Sequence, residues 1–298
     1  MELGLQIPCF TWPNGPAELG ADLAALVAAA DEAHFEYIAL MDHFFQIPED
    51  SFHRNPVVPP GAEDMLESYT TLGFLAAHTK RAKLMTMMTG ALYRPPGLLA
   101  KIITTLDVLS GGRAVLGIGT GWNEEEATGL GFAFPSTTER FELLEEVLRF
   151  ILQMWSDDDR GFTGKHINAG RLFNAPQVLS RPHPAIMVGG SGERKSLRLV
   201  AKYGQACNLF NTPELERKLA VLRAHCDDLG RDYDEITKTV YHILDIGDKG
   251  TKTDVLLAEL ERLAGFGVDA VIGAVPGLPD LEILARFGED VIPQASRL

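Results

Sequence analysis

Residues 114–122 read Ala-Val-Leu-Gly-Ile-Gly-Thr-Gly-Trp. Ala114 to Ile118 make a short aliphatic strand, and the glycines that follow allow a sharp exit. Such an exit invites a dinucleotide-binding reading, but that fingerprint is GxGxxG and Trp122 occupies the third-glycine position. A methyltransferase would carry an acidic residue just after the strand, where Gly117 stands. The stretch is therefore a buried strand with a glycine-rich C-terminal turn, and its neighbours decide the fold.

Working outward, short aliphatic runs alternate with longer amphipathic ones. Expected strands are 3–7, 37–41, 83–88, 114–118, 185–188, 206–210, 238–244 and 270–275. Expected helices are 19–33, 65–79, 97–109, 139–155, 193–203, 213–229, 254–264 and 278–287. In the helical runs apolar residues recur every three or four positions, as in Leu143, Val147, Leu148, Ile151 and Leu152. Eight strands, each followed by a helix, describe an α/β fold: a (β/α)8 TIM barrel with insertions, one domain over residues 1–298. Continuous apolar strands suit a parallel sheet buried on both faces. The alternative, an open doubly wound sheet in two halves, would need a linker with a shift in composition, and none is present. Two insertions interrupt the rhythm. One is the loop 44–63; the other is 156–184, where 162–167 and 171–178 could pair as a hairpin.

Composition narrows the function. The chain has 298 residues, 46% hydrophobic and 23% charged, with a formal net charge of −14. Phosphate backbones need a basic face, so a nucleic-acid partner is not expected. Cys9, Cys207 and Cys226 form no CxxC, which fits free thiols in a reducing cytoplasm. No apolar run approaches membrane-spanning length, and residues 1–7 show no basic leader, so the expectation is a cytoplasmic protein without a membrane partner. Gly189-Gly-Ser-Gly-Glu-Arg-Lys-Ser196 misses both the P-loop spacing and GxSxG. No tight metal-binding spacing occurs among the eight histidines.

Two features remain. Asp42-His43 closes the second strand, where a barrel presents its active-site mouth; histidine can carry a proton near neutral pH, although a surface Asp-His pair would read the same. The glycine-rich exits 117–121 and 189–192 let backbone approach an anion closely. The second is expected to lead at once into a helix with Arg194 and Lys195 in its first turn and Ser191 as cap or anion ligand. Ordinary turn chemistry is the plain alternative.

Taken in order, Met41-Asp-His-Phe-Phe45, Tyr69-Thr-Thr-Leu72, Leu106-Asp-Val-Leu-Ser-Gly-Gly-Arg113, Gly117-Ile-Gly-Thr-Gly-Trp122, Pro176-Gln177, Arg181-Pro-His-Pro184 and Val188-Gly-Gly190 resemble the bacterial luciferase-like family. The resemblance is closest to its branch using the deazaflavin coenzyme F420, and it covers about residues 3 to 210. It implies a barrel with the cofactor ring at the strand C-termini and a homodimer. Asp42 and His43 match the pair beside the ring, with His43 the catalytic candidate. Thr86-Met87 falls where members carry a non-proline cis peptide behind the deazaflavin. Thr120, Gly121 and Asn123 match a cofactor-contacting loop, and Val188, Gly189, Gly190 and Ser191 match the phosphate segment.

Members that oxidise sugar phosphates have glutamate in place of Trp122 and a tryptophan near Ile47, so that substrate class is not expected. Trp122 and Phe44, with the long loop, suggest an apolar organic small-molecule substrate. The alternatives are a two-component monooxygenase using reduced FMN, a cofactor-binding protein without turnover, or an unrelated barrel hydrolase or aldolase. The last would need a carboxylate pair or a Schiff-base lysine, and Asp42 has no evident partner in the sequence.

Overall fold

The computed structural model describes residues 1–51 and 53–298. Eight parallel strands run in chain order around a closed barrel: β1 Glu2–Ile7, β2 Tyr37–Leu40, β3 Lys83–Thr86, β4 Ala114–Gly119, β5 Ala185–Gly189, β6 Ala206–Phe210, β7 Thr237–Tyr241 and β8 Ala270–Ala274. Each bonds the next; Leu84 and Met85 pair with Ala114 and Val115, and Glu2 to Gln6 pair with Ala270 to Ala274. No edge is left open, so the doubly wound alternative is excluded. A two-residue strand, Thr89–Gly90, extends the third spoke against Ile118 and Gly119.

Strand alternation sorts the side chains. Leu3, Leu5 and Ile7 face the helix layer, where they join Leu23, Leu26, Leu72, Leu99, Ile103, Val147, Ile151 and Leu260 in one large core. Each such side chain contributes about 1.5–3 kcal/mol on burial. The opposite faces fill the barrel with Tyr37, Ala39, Met85, Val115, Met187, Ala206, Ala270 and Ile272. At Gly117 a Cβ would collide with the Thr86 carbonyl oxygen and lie 2.8 Å from Met85 Cε. The interior has no room for a side chain there.

The helices are α1 Leu19–Glu32, α2 Ser68–His78, α3 Pro96–Ser110, α4 Glu124–Gly129, α5 Thr137–Met154, α6 Ser196–Tyr203, α7 Leu215–Leu229, α8 Thr253–Gly265, α9 Leu281–Arg286 and α10 Ile292–Ala295. Pro96 starts α3 and Gly111, at φ 73°, ends it. Ser136 and Glu139 form a capping box on α5. No helix of the described residues is long and apolar enough to cross a membrane.

Three local expectations are corrected. The hairpin pairs Phe162–Thr163 with Asn168–Ala169, not with 171–178. The Glu146 carboxylate takes the N–H groups of Lys165, His166 and Ile167 and turns the chain early, while Asn174 is drawn to Thr104 of α3. Helix α6 begins at Ser196, so Arg194 and Lys195 lie in the preceding turn, and its N-cap is Lys195 with no side-chain cap; Ser191 does not cap it. The short α4, capped by Asn123, was not anticipated.

Candidate active site

At the C-terminal mouth, His43 follows β2 and points its Nδ1 at Glu126 Oε2, 2.7 Å away. Glu126 sits in the first turn of α4 and is fully buried. Its Oε1 accepts the Phe44 N–H at 2.6 Å, and Tyr93 Oη donates to Oε2 at 3.2 Å. Burial opposes a charge there. His43 and the N–H groups of Phe44 and Phe45 outweigh it and hold the carboxyl below its ordinary pKa. Burial, reinforced by the Glu126 charge, pushes the Tyr93 phenol up. An ionised carboxylate only accepts hydrogen bonds, so with Glu126 ionised the hydrogen of this contact belongs to His43 Nδ1. Nε2 makes no hydrogen bond among the described residues.

Asp42 has a different fate from its neighbour. Arg94 grips it at two points, Nη1–Oδ2 2.7 Å and Nη2–Oδ1 2.9 Å, and Ser68 Oγ donates to Oδ1 at 2.7 Å. Arg94 also bonds Glu67 and lies 4.7 Å above the Tyr69 ring. Burial favours loss of its proton, but Asp42 prevails and raises the pKa. The partners of Asp42 are thus an arginine and a serine, neither the second carboxylate nor the lysine that a hydrolase or aldolase site would need. The Asp42 carboxylate is spent on Arg94 and Ser68, leaving mainly backbone for a ligand.

The other expected residues divide in the same way. Thr86 is enclosed, its hydroxyl shared among Tyr69, Thr89 and the Gly117 carbonyl. Val188 packs outward into the helix-side core. The non-proline cis peptide joins Met87 to Met88, one bond beyond Thr86-Met87, and both methionines border the barrel interior. Asn123 Oδ1 accepts the Glu126 N–H at 3.2 Å. Thr120 and Gly121 lie half-buried at the β4 exit, with Gly121 at φ 75°. Trp122 is 44% exposed, with the His43 ring edge-on at 5.6 Å and the His53 ring at 4.4 Å. Phe44 instead joins Tyr93 and Phe132, each at 5.3 Å. Within loop 44–63, Phe52 lies outside the described residues.

The rim beyond β4 and β5 is built from glycine-rich turns. Gly119 is buried, and a Cβ there would meet the Gly189 carbonyl oxygen at 3.8 Å and Met88 Cβ at 3.9 Å, ordinary contacts that a methyl group can make. Gly190, at φ 113°, and Gly192 both face Ser196 Oγ, which a Cβ at either would approach to 3.1 Å. A side chain at either glycine would crowd Ser196, and Arg194 and Lys195 stand exposed beside this turn. Glu126 and Arg94 were missed in the sequence. Glu126 is one of three consecutive glutamates, and only the helix register shows which one turns inward.

The chain is thus a closed (β/α)8 barrel with a histidine–carboxylate pair at the C-terminal ends of its strands. The family model described as luciferase-like monooxygenase matches residues 1–259, and the chain belongs to this family, whose members are oxidoreductases or monooxygenases. It is similar to an F420-dependent glucose-6-phosphate dehydrogenase of Kineococcus radiotolerans, 30% identical over 73% of this chain and 62% of that protein. It is also similar to an FMNH(2)-dependent dimethylsulfone monooxygenase of Pseudomonas putida, 31% identical over 44% of this chain and 36% of the relative. The matched region is thus less than two thirds of either relative. In fold it is similar to the coenzyme F420 dependent tetrahydromethanopterin reductase of Methanopyrus kandleri, with TM-score 0.77 and 18% identity over 98% of each chain.

Proposed function

We propose that this chain is an F420-dependent oxidoreductase acting on a small, largely apolar organic substrate. The observation that carries the reading is the convergence, at one barrel mouth, of the glycine-rich exits of β4 and β5 and a histidine whose Nδ1 is held by a buried carboxylate. When bound, a deazaflavin supplies hydride transfer. The chain does the rest. Gly189, Gly190 and Ser191 receive the phosphate, and Gly119, Thr120 and Gly121 offer backbone to the ring. Trp122 forms an apolar wall, and His43 Nε2 holds or moves a proton at the substrate.

The F420-dependent relatives support the choice of cofactor, since they align over a larger share of the chain than the FMN-dependent one. FMN with oxygen is the second reading, favoured by that same monooxygenase relative. Titrating purified protein with F420 and with FMN, followed by cofactor fluorescence, tests the choice. Expected is F420 binding at micromolar Kd or tighter, about −8 kcal/mol, and weaker FMN binding. Tight FMN binding without F420 binding would overturn it.

A further inference from the structure

We infer that Glu126 is the positioning residue of this site, fixing His43 in the tautomer that keeps the hydrogen on Nδ1 and turns a bare Nε2 lone pair toward the substrate. The inference rests on the function proposed above for its catalytic meaning, but not for its structural content.

Glu126 is a carboxylate with no exposure, and its hydrogen-bond partners are His43, Tyr93 and two backbone N–H groups. Every one of its hydrogen bonds is received. Phe44 N–H and, at 3.4 Å, Phe45 N–H reach Oε1; Tyr93 Oη–H and His43 reach Oε2. Two of these donors are the residues immediately after His43, so one carboxylate holds both the ring and the backbone that carries it. Asn123 fixes the other end by capping the Glu126 N–H. The positive end of α4 favours the negative charge. Phe44 N–H and Tyr93 O–H already donate to the two carboxylate oxygens, so a neutral His43 facing this carboxylate keeps its hydrogen on Nδ1. The other charged or titratable groups nearby are Tyr93, the Asp42–Arg94 pair and, across Trp122, His53. Among the described residues, Tyr93 donates to Glu126, and Asp42 and Arg94 bond each other.

The chemical consequence follows directly. A bound deazaflavin would supply the hydride acceptor. His43 Nε2 would take the proton from the substrate heteroatom beside the carbon that gives up hydride and pass it to water, so that the substrate would lose two electrons and two hydrogens in all; in the reverse direction the protonated ring would return that proton. With the opposite tautomer Nε2 would already hold a hydrogen and could not take one.

Glu126→Gln is the sharp test, because the carboxamide keeps the size and can accept from Phe44. Its nitrogen, however, donates to Nδ1 and forces the hydrogen onto Nε2. Nitrogen-15 NMR of the cofactor-free protein, with the His43 signals assigned by their loss in His43→Asn, reads the tautomer directly. Expected is a protonated Nδ1 and bare Nε2 in the wild type, reversed in the Gln variant. Single-turnover hydride transfer should then fall roughly 10²-fold or more while cofactor affinity changes little. Tyr93→Phe should keep the wild-type tautomer and lose less than about tenfold in rate.

A wild-type His43 with its hydrogen on Nε2 would overturn the inference, as would a Gln variant with unchanged tautomer and rate. Should the Gln variant not fold, the wild-type tautomer together with Glu126→Asp, which retains an accepting carboxylate and should retain the tautomer, decides it. Failure of wild-type protein to bind F420 would sink the proposed function and leave the NMR result standing.

Discussion

Arg94 and Asp42 form a two-point ion pair with side-chain exposures of only 8% and 1%. This pair anchors the end of β2, and His43 is the next residue along. Removing one partner of an enclosed pair leaves the other charge without compensation. Arg94→Met should therefore lose about 3–5 kcal/mol of stability, measured as a lower urea midpoint. A change under about 1 kcal/mol would show that water or Ser68 replaces Arg94.

A second anchor reaches across the mouth. Asn55, in the loop after β2, donates to Tyr241 Oη at 2.6 Å and to Gln6 Oε1 at 3.3 Å, so the loop is tied to β7 and β1. Tyr241→Phe removes one of these bonds and should cost about 1 kcal/mol. Amide hydrogen exchange should quicken in residues 53–62 more than elsewhere. Uniform exchange across the chain would mean that the bond does not hold the loop.

Two glycines two residues apart on β4 should behave oppositely. At Gly117 a methyl group meets the Thr86 carbonyl oxygen, which is backbone and cannot turn away; Gly117→Ala should destabilise by about 1–3 kcal/mol or more. Gly119→Ala makes ordinary contacts of 3.8 and 3.9 Å. It should leave the melting temperature nearly unchanged while F420 affinity falls about tenfold, or about 1.4 kcal/mol. Unchanged affinity would place the cofactor ring away from β4. Gly190 is a poorer probe, because at φ 113° any side chain strains the backbone as well as crowding Ser196.

Glu259, on α8, is tied to Arg262 and to Asn211 beyond β6. The Arg262 hydrogen bonds, working against burial, lower its pKa to about 2. The unfolded value is about 4.3, so this group adds stability above that pH and loses it as pH falls toward 2. Glu259→Gln should be less stable than wild type at pH 7 by up to about 1 kcal/mol. The difference should close between about pH 4.5 and 2. A gap that persists at pH 2 would assign it to packing instead.

Much of the fold is visible in the order of residues, because the signals involved are local. A strand such as 114–118, buried on both faces, has to be apolar throughout, and a helix against a barrel has to repeat its apolar face every three or four residues. That is why strand and helix order, the closed barrel and the family likeness could be read from the chain, together with the placement of Asp42-His43 at a strand end. Boundaries were less legible. Helix α6 starts three residues late because the 193–195 turn precedes it, and the 162–169 hairpin closes early because Glu146, on another element, collects its N–H groups.

What tertiary structure alone decided is pairing. Asp42 and His43 are adjacent in sequence, but Arg94, 52 residues on, takes one, and Glu126, 83 residues on, takes the other. Neither partner stands out in the chain, since an arginine before two prolines or one glutamate among three is ordinary. Only closure of β4 against β3, followed by the single turn of α4, carries Glu126 inward to the β2 exit. A hydrogen bond depends on separation in space, which local sequence does not encode, so the chemistry of His43 became readable only once the barrel had closed.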